Sequence, residues 1–147
     1  MDFIVDIDGT VADNSARSQW VNYKPKNWKA YNSTMANDLP IDPVIEVVRS
    51  LHKNINNNII FCSGREETYR DITTEWLNTY VFYPKNLYMR SLKDYRDDGI
   101  VKYELLLKIR EDGFNPVAAF DDRQRVCRMW IENGIHLFDV SQGNGEF

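Results

Sequence analysis

Short apolar runs alternate along most of the chain with segments in which apolar residues recur every three or four positions. The recurring segments predict helices at about 42–53, 66–80, 99–111 and 123–133. The apolar runs predict strands at 3–7, 58–62, 86–89, 117–120 and 135–140. Strand alternating with helix is typical of an α/β protein, so we expect a doubly wound parallel sheet with helices on both faces. Ligands of such sheets bind beyond the carboxyl ends of the strands.

Residues 13–41 interrupt this alternation and, at roughly thirty residues, exceed an ordinary loop, so we expect a small insertion between two strands of the sheet. The aromatic residues of this segment are Trp20, Tyr23, Trp28 and Tyr31. We favour the interpretation that these rings form a small core within the insertion; the alternative is that they stack on bases. Arg17 and Asp13 either face a substrate or pair with each other.

The chain has 147 residues and a formal net charge of −4. This length fits a single domain, 1–147, with a sizeable core. The net charge provides no global basic field that would attract long duplexes. Residues 85–110 differ, because seven Lys and Arg residues against four Asp and Glu residues leave a local charge of +3. A solvated face and an anion-facing patch are equally consistent with this segment.

Cys62 and Cys127 lie in a predicted strand and a predicted helix, without the spacing of metal ligands, so we expect reduced, buried thiols. A tyrosine-phosphatase role for Cys62 is excluded because Thr68 stands where the arginine of such enzymes would be. We expect structural roles for His52 and His136. The sequence shows neither a basic leader nor a long apolar span, so we expect a cytoplasmic protein with no membrane partner.

The segment from Asp6 to Thr10 reads Asp-Ile-Asp-Gly-Thr and directly follows the apolar run Phe3-Ile4-Val5. This arrangement places a nucleophile and an acid/base beside a backbone turn that can hold a cation. It suggests phosphoryl transfer through an aspartyl phosphate. An Asp-x-Asp pair alone is a weak signal, because such pairs are common at strand ends and in turns.

Three further polar groups follow in suitable contexts. Ser63-Gly64-Arg65 ends the second apolar run and offers a hydroxyl and backbone N–H groups to a phosphate. Lys102 lies near the start of a predicted helix, where its ammonium group can neutralise a nucleophile and phosphoryl oxygens. Asp121-Asp122 ends another run and suits Mg²⁺, which prefers oxygen ligands.

The chemistry explains why carboxylates and cations occur together. Bringing an aspartate and a phosphate to about 4 Å costs about 4 kcal/mol at an effective dielectric constant near 20. Mg²⁺ held by Asp6, the backbone carbonyl of Asp8 and Asp121 would offset most of this repulsion, and Lys102 the rest. Asp8 can protonate the leaving oxygen and then accept a proton from the hydrolytic water.

The order Asp-x-Asp-Gly-Thr, Ser-Gly-Arg, Lys and Asp-Asp resembles the haloacid dehalogenase superfamily of phosphatases. A narrower resemblance, to the 3′-phosphatase domain of phage-type polynucleotide kinase, covers nearly the whole chain. It rests on the segments Phe61 to Arg65, Met89-Arg90, Asp94 to Arg96, Ile100 to Lys102, Ala119 to Arg123 and Met129-Trp130. The closing residues Val140, Gly145 and Phe147 are similar as well.

The resemblance implies Asp6 as nucleophile, Asp8 as general acid/base and Lys102 as the catalytic cation. It implies a phosphate- and substrate-binding face, made of Thr10, Ser63, Gly64, Arg65, Arg90 and Arg96. It also implies a Mg²⁺ site, made of Asp6, Asp8, Asp121 and Asp122. The fold it implies is the haloacid dehalogenase-like, Rossmann-type α/β sheet with a small cap.

We therefore expect a Mg²⁺-dependent phosphomonoesterase that removes 3′-phosphates from DNA or RNA ends. A 5′- or 3′-nucleotidase acting on free nucleotides is the alternative. A receiver-type switch is less consistent, because an acid/base at Asp8 speeds the hydrolysis of an aspartyl phosphate. A binding module with an inactive site is disfavoured, since every required side chain is present.

The expected partner is a phosphorylated nucleic acid end or a nucleotide. The enzymes that this chain resembles carry an amino-terminal kinase domain, which this sequence does not contain. We therefore expect a separate kinase or ligase among its protein partners. The expected location is the cytoplasm, or the host cytoplasm if the chain is phage-encoded.

Overall fold

A computed structural model describes residues 1–143, which form a five-stranded sheet flanked by helices and a separate two-stranded ribbon. The strands are β1 (Asp2–Val5), β2 (Ala12–Asp13), β3 (Leu39–Pro40), β4 (Asn58–Glu66), β5 (Leu87–Arg90), β6 (Pro116–Asp121) and β7 (His136–Asp139). The α-helices are α1 (Gln19–Asn22), α2 (Trp28–Ser33), α3 (Asp42–Lys53), α4 (Arg70–Tyr80), α5 (Asp98–Glu111) and α6 (Gln124–Glu132).

The main sheet has the strand order β5-β4-β1-β6-β7, and all of its neighbouring strands run parallel. β1 is therefore central, and its carboxyl end lies between those of β4 and β6. The pairing continues one residue past β1, because Asp6 donates its backbone N–H to the carbonyl of Phe120 at 3.0 Å. The predicted parallel α/β sheet is confirmed, and its central strand ends at the first acidic pair.

Apolar residues of the strands alternate between two buried clusters, one on each face of the sheet. Val5 and Phe61 belong to the cluster that includes residues of α3 and α4, such as Val48 and Leu77. The opposite cluster contains Ile4 and Ile60 together with residues of α5 and α6, among them Leu106 and Trp130. Helices therefore pack against both faces of the sheet.

β4 is longer than the sequence predicted, because it continues through the Ser63-Gly64-Arg65 motif to Glu66. The expectation that this motif follows the strand is therefore wrong. Its pairing with β5 is irregular between Ser63 and Glu66, where the register shifts. Ser63 and Glu66 both pair with β5, whereas the two residues between them, Gly64 and Arg65, do not. α4 consequently begins at Arg70, after a 3₁₀ turn at Glu67–Tyr69, rather than at residue 66.

Residues 14–38 lie between the two antiparallel strands of the ribbon, in which Ala12 pairs with Pro40. They form α1, α2 and two 3₁₀ turns, Ser15–Arg17 and Met35–Asn37. Neither α1 nor α2 contains a buried residue, whereas Met35 is buried. The exposed rings of this segment are Trp20, Tyr23 and Trp28. The prediction that these rings form a core within the insertion is therefore wrong.

Both cysteines are free and buried, as expected. Burial raises the pKa of Cys62 and of Cys127 to about 12, which keeps both thiols protonated and unreactive. His52 stacks on Phe82 with a ring-centroid distance of 3.8 Å, which is a structural contact.

Val140 packs against the cluster on the α3 and α4 face. Two other residues of the predicted resemblance, Gly145 and Phe147, lie outside the described residues. No helix in the described part of the chain combines the length and apolar character needed to cross a membrane.

Candidate active site

Asp6 lies at the centre of a buried polar cluster at the end of β1. Its Oδ1 accepts a hydrogen bond from Lys102 Nζ at 2.7 Å, and its Oδ2 accepts one from Thr10 Oγ1 at 3.1 Å. Lys102 Nζ also donates to Asp121 Oδ2 at 2.9 Å. These contacts use two of the three N–H donors of the ammonium group and leave the third for a phosphate oxygen. Thr10, predicted to contact substrate, is fully buried and instead orients Asp6.

The turn after Asp6 requires a glycine for two reasons. Gly9 has φ +81°, a left-handed conformation that other residues rarely adopt. A Cβ atom at this position would also lie 2.0 Å from Asp122 Oδ2. The backbone of the Asp-x-Asp-Gly-Thr turn therefore packs directly against the carboxylate of Asp122. This close approach brings the first acidic motif to the last one.

The carboxylate of Asp121 accepts hydrogen bonds from four donors. Its Oδ1 accepts from the backbone N–H of Asp122 at 2.9 Å and of Arg123 at 3.2 Å. Its Oδ2 accepts from Lys102 and from the indole Nε1 of Trp130, the latter at 3.1 Å. A carboxylate has about four lone-pair positions, so those of Asp121 are occupied. Asp121 therefore holds Lys102 in place, while Asp122 retains more room for a cation.

The donor set of this cluster fits a hard divalent cation. One carboxylate oxygen from each of Asp6, Asp121 and Asp122 lies within 4.8 Å of the others, although Asp121 already accepts from four donors. Three carboxylates against the single Lys102 leave two negative charges, which a divalent cation would balance. Burial, and next the charge of Asp121, raises the pKa of Asp6 against the lowering effect of Lys102. Oxygen ligands without thiolates or imidazoles are those that Mg²⁺ prefers.

Asp8, the second aspartate of the turn, is hydrogen-bonded by two arginines. Its Oδ1 accepts from Arg65 Nη2 and from Arg17 Nη2, both at 2.7 Å. Arg65 Nε approaches its Oδ2 at 3.1 Å. Burial raises the pKa of Asp8, but Arg65 and Arg17 together outweigh that effect, and the pKa lies below its usual value. The two aspartates of the motif therefore occupy opposite electrostatic environments.

Asp38 completes a buried ionic network with the same two arginines. Its oxygens accept from Arg17 Nε at 2.7 Å and from Arg65 Nη2 at 3.3 Å. Asp38 and both arginines are almost fully buried. Its backbone carbonyl accepts from the indole of Trp76 at 2.9 Å. The insertion is thus fastened to the sheet through charges that also hold Asp8.

Of the two alternatives left open for Arg17 and Asp13, pairing with each other is wrong. Asp13 Oδ1 accepts a hydrogen bond from the backbone N–H of Ser15 at 2.9 Å, and its side chain is exposed. Arg17 instead lies under the ring of Tyr31, with its guanidinium carbon 4.4 Å from the ring centroid. Nothing in the local sequence distinguishes Asp13 from the more distant Asp38 as the partner of Arg17.

The three arginines expected on the substrate face all line the cavity over Asp6, and each of them also makes contacts within the protein. Arg65 holds Asp8 and also donates to Thr73 Oγ1 at 3.1 Å. Arg90 binds the carboxylate of Asp98 and the carbonyl of Gly64, the latter at 2.7 Å.

Arg96 is more exposed, but Asp94 and Glu104 both pair with it. Lys102 and Lys108 of the same segment are paired as well. Most of the positive charge between residues 85 and 110 is therefore balanced internally, which argues against a free anion-facing patch.

Ser63 and Gly64 occupy the irregular part of β4. Ser63 is buried, and its Oγ accepts a hydrogen bond from the backbone N–H of Arg65 at 3.1 Å. A Cβ atom on Gly64 would lie 2.5 Å from Asp98 Oδ1, so a side chain is excluded there. Gly64 lines the active-site cavity, which keeps it available for substrate. Ser63 primarily shapes the backbone of the motif.

A cavity of about 490 Å³ opens over this cluster. Asp6, Asp8 and Asp122 line it, as does Arg123, whose Nη1 donates to Asp98 Oδ2 at 2.6 Å. The sequence interpretation did not single out Arg123, Asp98 or Asp38 as site residues. Arg123 directly follows the acidic pair, and Asp98 lies one helical turn before Lys102, so both could have been predicted as site residues from their positions in the sequence. No such pattern in the sequence marks Asp38.

A model of the polynucleotide kinase PNKP phosphatase domain matches residues 2–145 of this chain. A predicted bifunctional polynucleotide kinase/RNA ligase of Autographa californica nuclear polyhedrosis virus is 30% identical over 146 residues. That alignment covers 98% of this chain and 20% of the viral protein. The chain therefore spans about one fifth of the length of this relative.

Two structures of Pnkp1/Rnl/Hen1 complexes contain a similar domain. One matches with a TM-score of 0.79 and 31% identity, covering 95% of this chain and 44% of the other. The second, of the RNA repair complex, matches with a TM-score of 0.76 and 32% identity over 94% of this chain and 41% of the other. A class C acid phosphatase from Bacillus anthracis with tungstate bound shares the fold at 17% identity, with a TM-score of 0.61, covering 82% and 51% of the two chains.

Proposed function

The chain belongs to the family of polynucleotide kinase phosphatase domains of the haloacid dehalogenase type and is a phosphatase, and we propose that it removes 3′-phosphates from DNA or RNA ends in a Mg²⁺-dependent reaction. The observation that carries this proposal is the pairing of Asp6 with Lys102 at the floor of a cavity that also exposes Asp8 and Asp122. This arrangement provides a nucleophile, a cation and an acid/base around one space.

In the proposed reaction, a carboxylate oxygen of Asp6 attacks phosphorus and the bond to the ester oxygen breaks. Asp8 gives its proton to that oxygen, which leaves as the free hydroxyl of the nucleic acid end. Asp8 then accepts a proton from a water molecule that attacks the phosphoryl group on Asp6. Inorganic phosphate departs, and Asp6 is restored as a carboxylate.

The surrounding residues keep these two aspartates distinct. Lys102 lies against Asp6, where its charge stabilises the phosphoryl oxygens in the transition state. Arg17 and Arg65 align Asp8 as a carboxylate, the form that it needs as a base. The negative charge of an incoming phosphate raises the pKa of Asp8 against the effect of these arginines. It therefore favours protonated Asp8, the form that the first step needs.

Mg²⁺ would be held by the carboxylates of Asp6 and Asp122 and by the backbone carbonyl of Asp8. Asp121 stands behind them and orients Lys102. When bound, the ion supplies positive charge to the phosphoryl oxygens and lowers the repulsion between phosphate and nucleophile. The excess of two negative charges in the cluster supports this assignment.

The family membership supports a nucleic acid end as substrate. The viral relative combines a polynucleotide kinase with an RNA ligase, and Pnkp1 occurs in a complex with Rnl and Hen1. We propose by analogy that this domain acts beside a kinase and a ligase, which are partners in other chains or other parts of a longer protein. We place this activity in the cytoplasm, or in the host cytoplasm if the chain is phage-encoded.

The test compares kcat/KM for four substrates: 3′-phosphorylated oligonucleotides, 5′-phosphorylated oligonucleotides, 3′-mononucleotides and 5′-mononucleotides. We expect the 3′-phosphorylated oligonucleotide to be preferred. Asp6→Asn is the control variant, because asparagine keeps the shape of the side chain but lacks the charge to attack phosphorus. Activity should be lost while the thermal unfolding transition remains. A preference for mononucleotides would replace the proposal with a nucleotidase, and full activity of Asp6→Asn would disprove the mechanism.

A further inference from the structure

Two exposed aromatic side chains, Trp28 and Tyr95, line the cavity that contains Asp6 and Asp8. Trp28 is 54% exposed and Tyr95 is 85% exposed. Neither ring contributes to the two hydrophobic clusters of the described residues. Their positions at the active site therefore require an explanation other than folding stability. The proposed catalytic mechanism uses neither of them.

Tyr95 stands on a loop that is fixed on both sides. Arg90 Nη1 donates to the backbone carbonyl of Asp94 at 3.0 Å and to that of Arg96 at 2.7 Å. Arg96 in turn pairs with Glu104 of α5 at 2.6 Å. The two neighbours of Tyr95 are thus anchored, while its own ring extends into solvent. Because the backbone of this loop is already fixed, binding a ligand to the Tyr95 ring costs little further conformational entropy.

Trp28 is the first residue of α2 in the insertion. The helix start is capped by Asn27, whose Oδ1 accepts from the backbone N–H of Ala30 at 3.0 Å. The indole ring contacts Tyr31 at a centroid distance of 5.5 Å and an interplanar angle of 81°. Tyr31 lies over Arg17, one of the arginines that hold Asp8. Trp28 is therefore connected to the acid/base region through a short series of contacts.

Lys26 adds a positive charge beside the same ring, with its Nζ 5.8 Å from the Trp28 ring centroid. Proteins bind single-stranded nucleic acid with this combination, because the bases stack on an aromatic ring and a nearby cation neutralises the phosphates. The cavity volume of about 490 Å³ falls within the range of about 300–1,000 Å³ typical of organic ligands. It provides space for more of the substrate than the phosphate group.

We propose that Trp28 and Tyr95 form a stacking subsite for a nucleobase at the phosphorylated end of the substrate. This inference rests on the proposed function, because a nucleic acid end carries an aromatic base next to the phosphate that Asp6 would attack. The two rings contact the π-face of the base. Because every base has such a face, the subsite confers little preference among the bases. Its contribution is to position the terminal nucleotide over the catalytic aspartates.

The experiment uses 3′-phosphorylated oligonucleotides that differ only in the terminal nucleotide, which carries either a base or an abasic sugar. Glycerol 2-phosphate serves as a phosphate ester with no ring. We expect the wild-type protein to prefer the base-bearing end by between about fivefold and about a hundredfold in kcat/KM, the range that stacking contacts provide. Trp28→Ala and Tyr95→Ala should each reduce this preference, whereas Tyr95→Phe should keep it.

Tyr23→Ala is the matched control, because Tyr23 is an exposed ring of the insertion that does not line the cavity. It should leave the preference unchanged. Tyr95 lies outside the insertion, so its variants test the subsite even if Trp28→Ala disturbs the folding of that segment.

Two failures are distinguishable. Rapid hydrolysis of both oligonucleotides with no preference for the base-bearing end would contradict the stacking subsite alone. The same holds if both alanine variants keep the wild-type preference. Hydrolysis of the base-bearing oligonucleotide no faster than that of glycerol 2-phosphate would contradict the proposed function together with the subsite.

Discussion

The indole Nε1 of Trp130 donates a hydrogen bond to Asp121 Oδ2 at 3.1 Å, so a fully buried tryptophan of α6 supports a carboxylate at the floor of the active site. The same oxygen accepts from Lys102, which contacts Asp6. The position of Lys102 therefore depends on a residue from the hydrophobic cluster behind the sheet. A side chain without contact to substrate can thereby influence the reaction.

The first prediction is that Trp130→Phe lowers kcat by about tenfold or more while KM changes little. Phenylalanine keeps most of the packing but removes the N–H donor, and loss of such supporting contacts typically costs about 10–100-fold in activity. Steady-state kinetics measure the effect. Ile109→Val, in the same cluster, reduces packing without touching Asp121 and should leave kcat unchanged. Equal loss of activity in both variants would show that general destabilisation is responsible.

The second prediction concerns Asp38, which lies between Arg17 and Arg65. Asp38→Asn leaves two buried arginines with only Asp8 as a carboxylate partner, and removing one member of a buried ionic group costs about 3–5 kcal/mol. We expect a lower free energy of unfolding in urea. We also expect kcat/KM to fall by about a hundredfold, because Asp8 loses its alignment.

Asp13→Asn is the control for this prediction, since Asp13 is an exposed aspartate at the edge of the same insertion and contacts neither arginine. Surface substitutions of this kind usually change stability by less than about 0.5 kcal/mol. Wild-type stability and activity in Asp38→Asn would refute the structural role of the network.

The third prediction concerns the metal. Chelation after metal-free purification should abolish phosphate release, and added Mg²⁺ should restore it. Asp122→Asn should raise the Mg²⁺ concentration at half-maximal activity by about tenfold or more, because a direct oxygen ligand loses its charge. Asp71→Asn, a change at an exposed aspartate of α4, should not. Full turnover in excess chelator would contradict the metal requirement.

The fourth prediction separates two arginines by the salt dependence of oligonucleotide binding. Arg123 and Arg96 both line the cavity with about half of the side chain exposed, but Arg123 pairs with one carboxylate and Arg96 with two. Arg123→Gln should flatten the slope of log K against log salt by up to about 0.7 for a single strand. Arg96→Gln should change the slope less. The reverse order would indicate that Arg96 exchanges its partners for the phosphate backbone.

The sequence by itself determined the layered α/β fold and the identity of the central cluster. Short apolar runs alternate with segments of helical periodicity, and parallel strands bring their carboxyl ends to one edge of the sheet. Asp6, Asp121 and Asp122 lie at strand ends, and Lys102 lies near the start of a helix. The local pattern was therefore sufficient to predict that these residues meet.

Only the tertiary structure decided which charges face each other. Arg17 could pair with Asp13 or Asp38 as far as the chain order shows, and its choice depends on how residues 14–38 fold back over the sheet. Arg65 lines the cavity as expected, but it also binds Asp8 and Asp38, and nothing in the order of the chain indicates these two partners. Local periodicity describes one element at a time, whereas these contacts join residues that are far apart in the chain and whose distances are set by packing.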